Sequence, residues 1–160
     1  SHLVSELVQQ RTGTRFNQIG YKGAAPAFIE LAGGQVQAYF ATLASGASAL
    51  KTGRIAALAI AGKKRLDALP GVPTLAESGV PDVVAEQWWG LVAIAKTPPE
   101  VLARLYRDSV AAVEHPLVRE RVSELAVEPG SSSPQAFRAF IDAEIRRWAR
   151  VAKEAGIQPE

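Results

Sequence analysis

The sequence contains no cysteine, which excludes disulfides and thiolate metal sites but leaves the redox compartment open, because a cysteine-free chain tolerates either environment. Histidine is nearly as scarce, with only His2 and His115 present. No His-Glu-x-x-His pair, no G-x-x-x-x-G-K-[ST] loop and no G-x-G-x-x-G loop occurs, so metal, nucleotide and dinucleotide readings lack a motif and no cofactor is called for. In Ser45-Gly46-Ala47-Ser48-Ala49 the glycines are not at G-x-S-x-G spacing and no histidine is placed to be the base; the segment reads as a helix start after a strand. The longest apolar run, Ile55 to Gly62, is far short of the roughly 20 residues that span a bilayer, and no signal peptide is visible. Basic residues exceed acidic ones only by 18 to 16 and are scattered along the chain, so none forms a block that could follow a phosphate backbone. Nucleic acid is therefore not an expected partner.

What remains is an ordinary globular composition, 48% hydrophobic and 21% charged over 160 residues. A chain of that length loses roughly 70% of its unfolded surface on folding and can bury a sizeable core. Ser1-His2-Leu3 runs straight into helical spacing without an initiator methionine, so upstream residues are expected to have been removed. Up to about Asp82, apolar stretches alternate with helical spacing, punctuated by glycine and proline. Leu3, Leu7 and Val8 share a helical face that Thr12-Gly13 closes, and an extended stretch follows from Arg15 to Ile19. A second helix, from Gly23 to Ala32, has Pro26 in its first turn, and Gly33-Gly34 ends it before a strand from Val36 to Thr42. A third, from Ala44 to Lys51, precedes Ile55 to Ala61, whose unbroken apolar character predicts a strand buried on both faces of a parallel sheet. The pattern predicts α/β crossover units.

Between Leu66 and Asp82 the prolines and glycines allow at most one short helix near Thr74 to Ser78. Gln87 to Ala95 reads as another buried strand, and Thr97-Pro98-Pro99-Glu100 opens a long helix with Thr97 as its cap. Helical spacing restarts after Pro116 and fades near Ala126. Ser133-Pro134 caps a final amphipathic helix carrying Phe137, Phe140, Ile141, Ile145 and Trp148.

Two strand-to-helix turns carry the chemistry. Tyr21-Lys22-Gly23-Ala24-Ala25-Pro26 leaves an extended stretch and enters a helix whose first amides have no internal acceptor, so a carboxylate could sit on the positive end of its dipole. The same residues also read as a tight turn that merely starts a helix. Ala41 to Ser45 follows the next strand in the same way, and in an open parallel sheet such turns line one crevice. Thr42 offers a hydroxyl there, either to a ligand or simply as an N-cap. Trp88 and Trp89 point to opposite faces of a strand, one toward a core and the other toward a core or a cleft. Lys63-Lys64-Arg65 reads as a solvated loop.

The runs Tyr21 to Ala27, Leu31-Ala32-Gly33-Gly34-Gln35-Val36, Gly53 to Ala59, Arg65-Leu66 with Leu69 to Gly79, Trp88 to Ala95, Thr97-Pro98 and Ala143 to Ile157 occur in one order. Together they resemble the Bug/TctC-type receptors of tripartite tricarboxylate transporters over essentially the whole chain. The resemblance implies a periplasmic-binding-protein type II-like α/β fold, the bilobed Venus flytrap, of which this chain is the carboxy-terminal half. Residues 1–86 would form most of the second lobe. Residues 87–160 would supply a crossover strand and carboxy-terminal helices to the first lobe, packing across the body. It also implies a non-catalytic periplasmic receptor that captures small carboxylates, organic acids or amino acids, for the membrane components of such a transporter. Carried over by position, the ligand-binding candidates are Ser1, Tyr21, Lys22, Gly23, Ala24 and Thr42, with Gln87 and Trp88 near the crossover. One departure is Ala24, where the family usually has a second glycine. Two other readings stay open: a ligand-sensing module of a regulator or receptor with the same bilobed fold, and an α/β enzyme acting on a small acid, for which only His2 and His115 could serve as base. Half a bilobed fold leaves sheet edges unpaired, so a homodimer of the fragment is a further expectation.

Overall fold

The computed structural model of the chain describes residues 1–124 and 127–157. By its internal contacts the chain divides into two units, Ser1–Gln87 together with Trp148 onward, and Trp88–Arg147.

The first unit holds α1 (His2–Thr12), α2 (Ala24–Ala32) and α3 (Leu43–Lys51). The spacing of Leu3, Leu7 and Val8 puts one face of α1 inward, where Leu7, Val8, Val83 and Val151 form a buried cluster flanked by Phe40, Leu75, Val80 and Trp148. Helix α1 stops at Gly13, whose N–H donates to the Gln9 carbonyl at 2.8 Å. In α2, Pro26 occupies the first turn, where its missing N–H would have had no partner. Gly34 closes that helix at φ 76°, donating to the Leu31 carbonyl while the Gln35 N–H reaches back to Glu30, an arrangement that needs the left-handed region and hence glycine. Helices α2 and α3 pack together at Gly46, where a β-carbon would lie 3.1 Å from Phe28 Cζ.

The predicted strands are not present as strands among the described residues. Arg15–Ile19, Val36–Thr42, Ile55–Ala61 and Gln87–Ala95 carry no ladder beyond one parallel bridge joining Ile60 and Thr74. That bridge is made by Ile60 N–H to the Pro73 carbonyl at 2.8 Å and Leu75 N–H to the Ile60 carbonyl at 2.9 Å. The reason is physical: side-chain pattern can make a segment extended, but a strand exists only when a neighbour pairs with its backbone.

Between Leu66 and Asp82 the chain makes a series of turns, and residues 75–79, where the sequence allows at most one short helix, form a turn and not a helix. Thr74 and Glu77 bond reciprocally: the Thr74 N–H donates to Glu77 Oε2 at 2.7 Å, and the Glu77 N–H donates to Thr74 Oγ1 at 3.1 Å. Arg65 Nε reaches both Glu77 oxygens at 3.0 and 2.9 Å and its guanidinium also donates to the Pro70 carbonyl at 3.1 Å, closing the loop.

The second unit holds α4 (Pro99–Glu114), α5 (Pro116–Glu124) and residues 134–147 of α6 (Pro134–Glu154). Thr97 is not the cap of α4. Pro98 holds that position without a side-chain bond, and the Thr97 N–H instead closes a turn on the Ile94 carbonyl. Ser133 does cap α6, its Oγ accepting from the Ala136 N–H at 3.1 Å. The expected end of the α5 spacing near Ala126 lies outside the described residues. Trp88 meets Phe137 and Phe140 edge-to-face, with centroids 5.6 and 5.3 Å apart.

Candidate functional site

A cavity of about 520 Å3 opens within the first unit, walled by the starts of α1 and α2, the segment between those helices and Tyr39. Hydrogen bonds set its shape. One turn apart on α1, Ser5 and Gln9 hold the returning chain: Gln9 Oε1 accepts from the Phe16 N–H at 2.6 Å, and Gln18 Nε2 donates to Ser5 Oγ at 2.6 Å. Ser5, only 4% exposed, donates its own hydroxyl hydrogen bond to the His2 carbonyl at 2.7 Å. Gln18 is thereby fixed beside the first turn of α1. Tyr39 is set from the other side by Phe28 of α2, edge-to-face at 5.1 Å.

Helices α1 and α2 both begin at this cavity, through Ser1 and His2 in one and Gly23 and Ala24 in the other. Neither has a side-chain cap, whereas Thr42 caps α3 by accepting from the Ser45 N–H. First-turn amides of two helices therefore border one concavity without a side-chain acceptor, and each helix start carries roughly half a positive charge. No Lys, Arg, Asp or Glu lines the cavity. The His2 Nε2 lies 3.5 Å from Glu6 Oε1 one turn along α1. A wall of mixed polar and apolar groups without a Lys or Arg side chain suits an anion bound by amides and hydroxyls.

Of the residues singled out from sequence, Ser1, Tyr21, Gly23 and Ala24 come together in the cavity wall. Lys22 stands between two wall residues in the chain but is not one of them. The Thr42 hydroxyl is engaged with Ser45, bonding both its N–H and its Oγ. Gln87 ends the first unit, and Trp88 belongs to the second, packed on Phe137 and Phe140. Sequence reasoning missed His2, Gln18, Ile19, Gly20, Ala27 and Tyr39 as wall residues. Tyr39 could have been found, since it sits near the carboxyl end of a predicted strand, on the same rim as Thr42. Among the described residues no group of three His, Cys, Asp or Glu is placed to hold a metal ion.

The family model described as tripartite tricarboxylate transporter family receptor matches residues 1–157. Protein BugT of Bordetella pertussis is 37% identical over 156 residues, which cover 98% of this chain and 48% of that protein. Among solved structures, R. palustris Rpa4515 with adipate superposes with a TM-score of 0.86 at 36% identity, over 99% of this chain and 53% of that one. MatC from Rhodopseudomonas palustris with bound malate gives a TM-score of 0.79 at 27% identity, over 94% and 52%. The chain thus spans about half the length of the relatives it matches. None of these comparisons supports the homodimer expected from the unpaired edges.

Proposed function

The chain belongs to the tripartite tricarboxylate transporter receptor family, and on that footing we propose that it is the ligand-gripping part of a periplasmic receptor that captures a small carboxylate. Its fold is that of the periplasmic solute-binding proteins of this family, of which it supplies about half the length. The observation that carries the reading is the convergence of two helix starts without side-chain caps on one cavity that has no acidic wall residue. In this reading the carboxylate lies against the first-turn amides at Gly23 and Ala24, with Ser1 and Tyr21 contributing hydroxyls. Lys22 and Thr42 are outer members of the site, and Gln87 with Trp88 stands at the crossover between units. The Ala24 methyl narrows the approach to the helix compared with a glycine.

The adipate and malate of the two structural neighbours favour an organic acid as ligand. The receptor delivers it to the membrane components of a tripartite tricarboxylate-type transporter and performs no chemistry on it. No helix among the described residues is long and apolar enough to cross a membrane, so attachment to the bilayer through this part of the chain is not invoked. Isothermal titration calorimetry with a panel of mono- and dicarboxylates, amino acids, sugars and cations tests the reading. Heat is expected from carboxylates alone, and binding confined to sugars or cations would overturn it.

A further inference from the structure

Resting on the carboxylate reading, we infer that Gln18 is a specificity-determining residue: its amide oxygen accepts from a hydroxyl on the captured acid, so the receptor selects hydroxy acids over their oxo and unsubstituted counterparts. Ser5 settles which way the Gln18 amide faces. Buried at 4% exposure, the Ser5 hydroxyl directs its single proton to the His2 carbonyl at 2.7 Å and can only accept from a second neighbour. That neighbour is Gln18, whose amide must therefore turn its NH2 to Ser5, where Nε2 donates at 2.6 Å. Turned over, Oε1 would face a hydroxyl oxygen with no proton to offer, and two acceptors would be opposed. The buried serine thus leaves Oε1 on the branch of the amide away from Ser5.

Oε1 accepts no hydrogen bond from any described residue, and Gln18 lines the cavity in which the carboxylate reading puts the ligand. The hydroxyls of Ser1, Tyr21 and Tyr39 can turn to donate or accept, and the His2 ring can do either by its tautomer, so these groups tolerate both kinds of ligand atom. An amide oxygen only accepts. A carboxylate and a ketone offer it no proton, whereas a hydroxyl does. Against an acid without a donor, Oε1 gives up its water and gains no bond in return. An ammonium could also donate, but no Asp or Glu in the wall balances its charge, which favours the neutral hydroxyl. Gln18 is exposed, so the discrimination comes from one hydrogen bond within reach of water and amounts to about threefold to tenfold in affinity.

Sets of unsubstituted, 2-hydroxy, 2-oxo and 2-amino acids built on propionate, succinate, glutarate and adipate are the probes, and calorimetry on the full chain reads their affinities. In the sets that bind, the 2-hydroxy acid is expected to be about threefold to tenfold tighter than the 2-oxo acid. Equal affinities, or a 2-amino acid ahead of its 2-hydroxy counterpart, overturn the inference. Gln18→Met, similar in length but without the amide oxygen, should lose most of the preference. Ser5→Ala should do the same although Ser5 is not a wall residue, because the amide is then free to turn its NH2 toward an oxo group. Ser5 is in this sense a positioning residue, and the ratio of two affinities is a readout that a loss of stability alone does not move. A preference that survives in either variant overturns the assignment. Should the variants fold poorly, the unmodified chain still decides: the Gln18 side-chain carbonyl carbon resonance must move further downfield with a saturating 2-hydroxy acid than with its 2-oxo counterpart. Carboxylate binding without this preference sinks the inference alone, whereas no carboxylate binding at all sinks the reading beneath it too.

Discussion

The two units of this chain spend their apolar residues differently. In the first, Leu7, Val8, Ala27, Val83 and Val151 are all buried, and each is 7% exposed or less. In the second no described residue is buried, although α4 and α6 are more sharply amphipathic than α1. Val101, Leu102, Leu105 and Tyr106 line one face of α4 at about two-fifths exposure, and Leu91, Val92 and Ile94 in the extended stretch before it are exposed above 70%. Amphipathic patterning therefore records a face that needs cover, and only tertiary contacts decide whether the cover is present.

The largest effect expected from this contrast is in a matched pair of substitutions. Leu7→Ala removes a side chain from the buried cluster and should cost about 2 to 5 kcal/mol in urea unfolding. Ile94→Ser, at 81% exposure, should stay within about 0.5 kcal/mol. Comparable losses from the two would mean that Ile94 is covered in solution and that the contrast between units is not intrinsic to the chain.

The same contrast explains what could be read from the sequence. Helix ends were legible because their signals are local: Gly34 for α2, Thr42 for α3 and Ser133 for α6 all act within a few residues of the boundary. The strands were not, since Val36–Thr42 and Gln87–Ala95 have the right side chains, yet their pairing depends on distant backbone that local pattern does not describe. Thr97 misled for a related reason, as two consecutive prolines admit two helix starts and the structure takes the later one. In the site, Ser1, Tyr21, Gly23 and Ala24 followed from the rule that helix starts attract anions together with the family resemblance. Gln18 reaches the cavity only through Ser5, thirteen residues back, a contact that spacing does not encode. His2 enters the sequence reading only as a possible base.

A smaller effect tests the aromatic cluster of the second unit. Gly90 lies against the Phe137 ring, and a β-carbon added there would run into it. Phe137 is in turn held by Trp88 and stacked on Phe140 with centroids 6.4 Å apart. Gly90→Ala should therefore cost about 1 to 3 kcal/mol through overpacking and change the near-ultraviolet circular dichroism of the aromatic group. An unchanged spectrum and midpoint would show that the ring moves aside freely, leaving the second unit loosely packed even at its aromatic cluster and widening the contrast.

The smallest effect separates the units by pH. In the first unit the Arg65 guanidinium, bonded to both oxygens of Glu77, together with the Thr74 N–H holds the Glu77 carboxyl down at about 2, well below the 4.5 of an ordinary glutamate. Because the folded-state value is depressed, the stabilisation is fully present above the unfolded value near 4.5 and is lost as pH falls toward 2. Both partners are nearly half exposed, at 45% and 46%, so solvent and salt screen the pair and its contribution is modest. Unfolding midpoints measured from pH 7 downward should be flat to about pH 5 and then decline, and Glu77→Gln should flatten part of that decline without moving the neutral-pH midpoint much. In the second unit Asp108 on the surface of α4 meets Arg104 at 3.4 Å and Arg107 at 3.9 Å with all three side chains well exposed, so Asp108→Asn should change the unfolding midpoint less than Glu77→Gln. Equal flattening by the two substitutions would mean that the Thr74 contacts add nothing to the Arg65 pair, and that the turn is held by its backbone bonds alone.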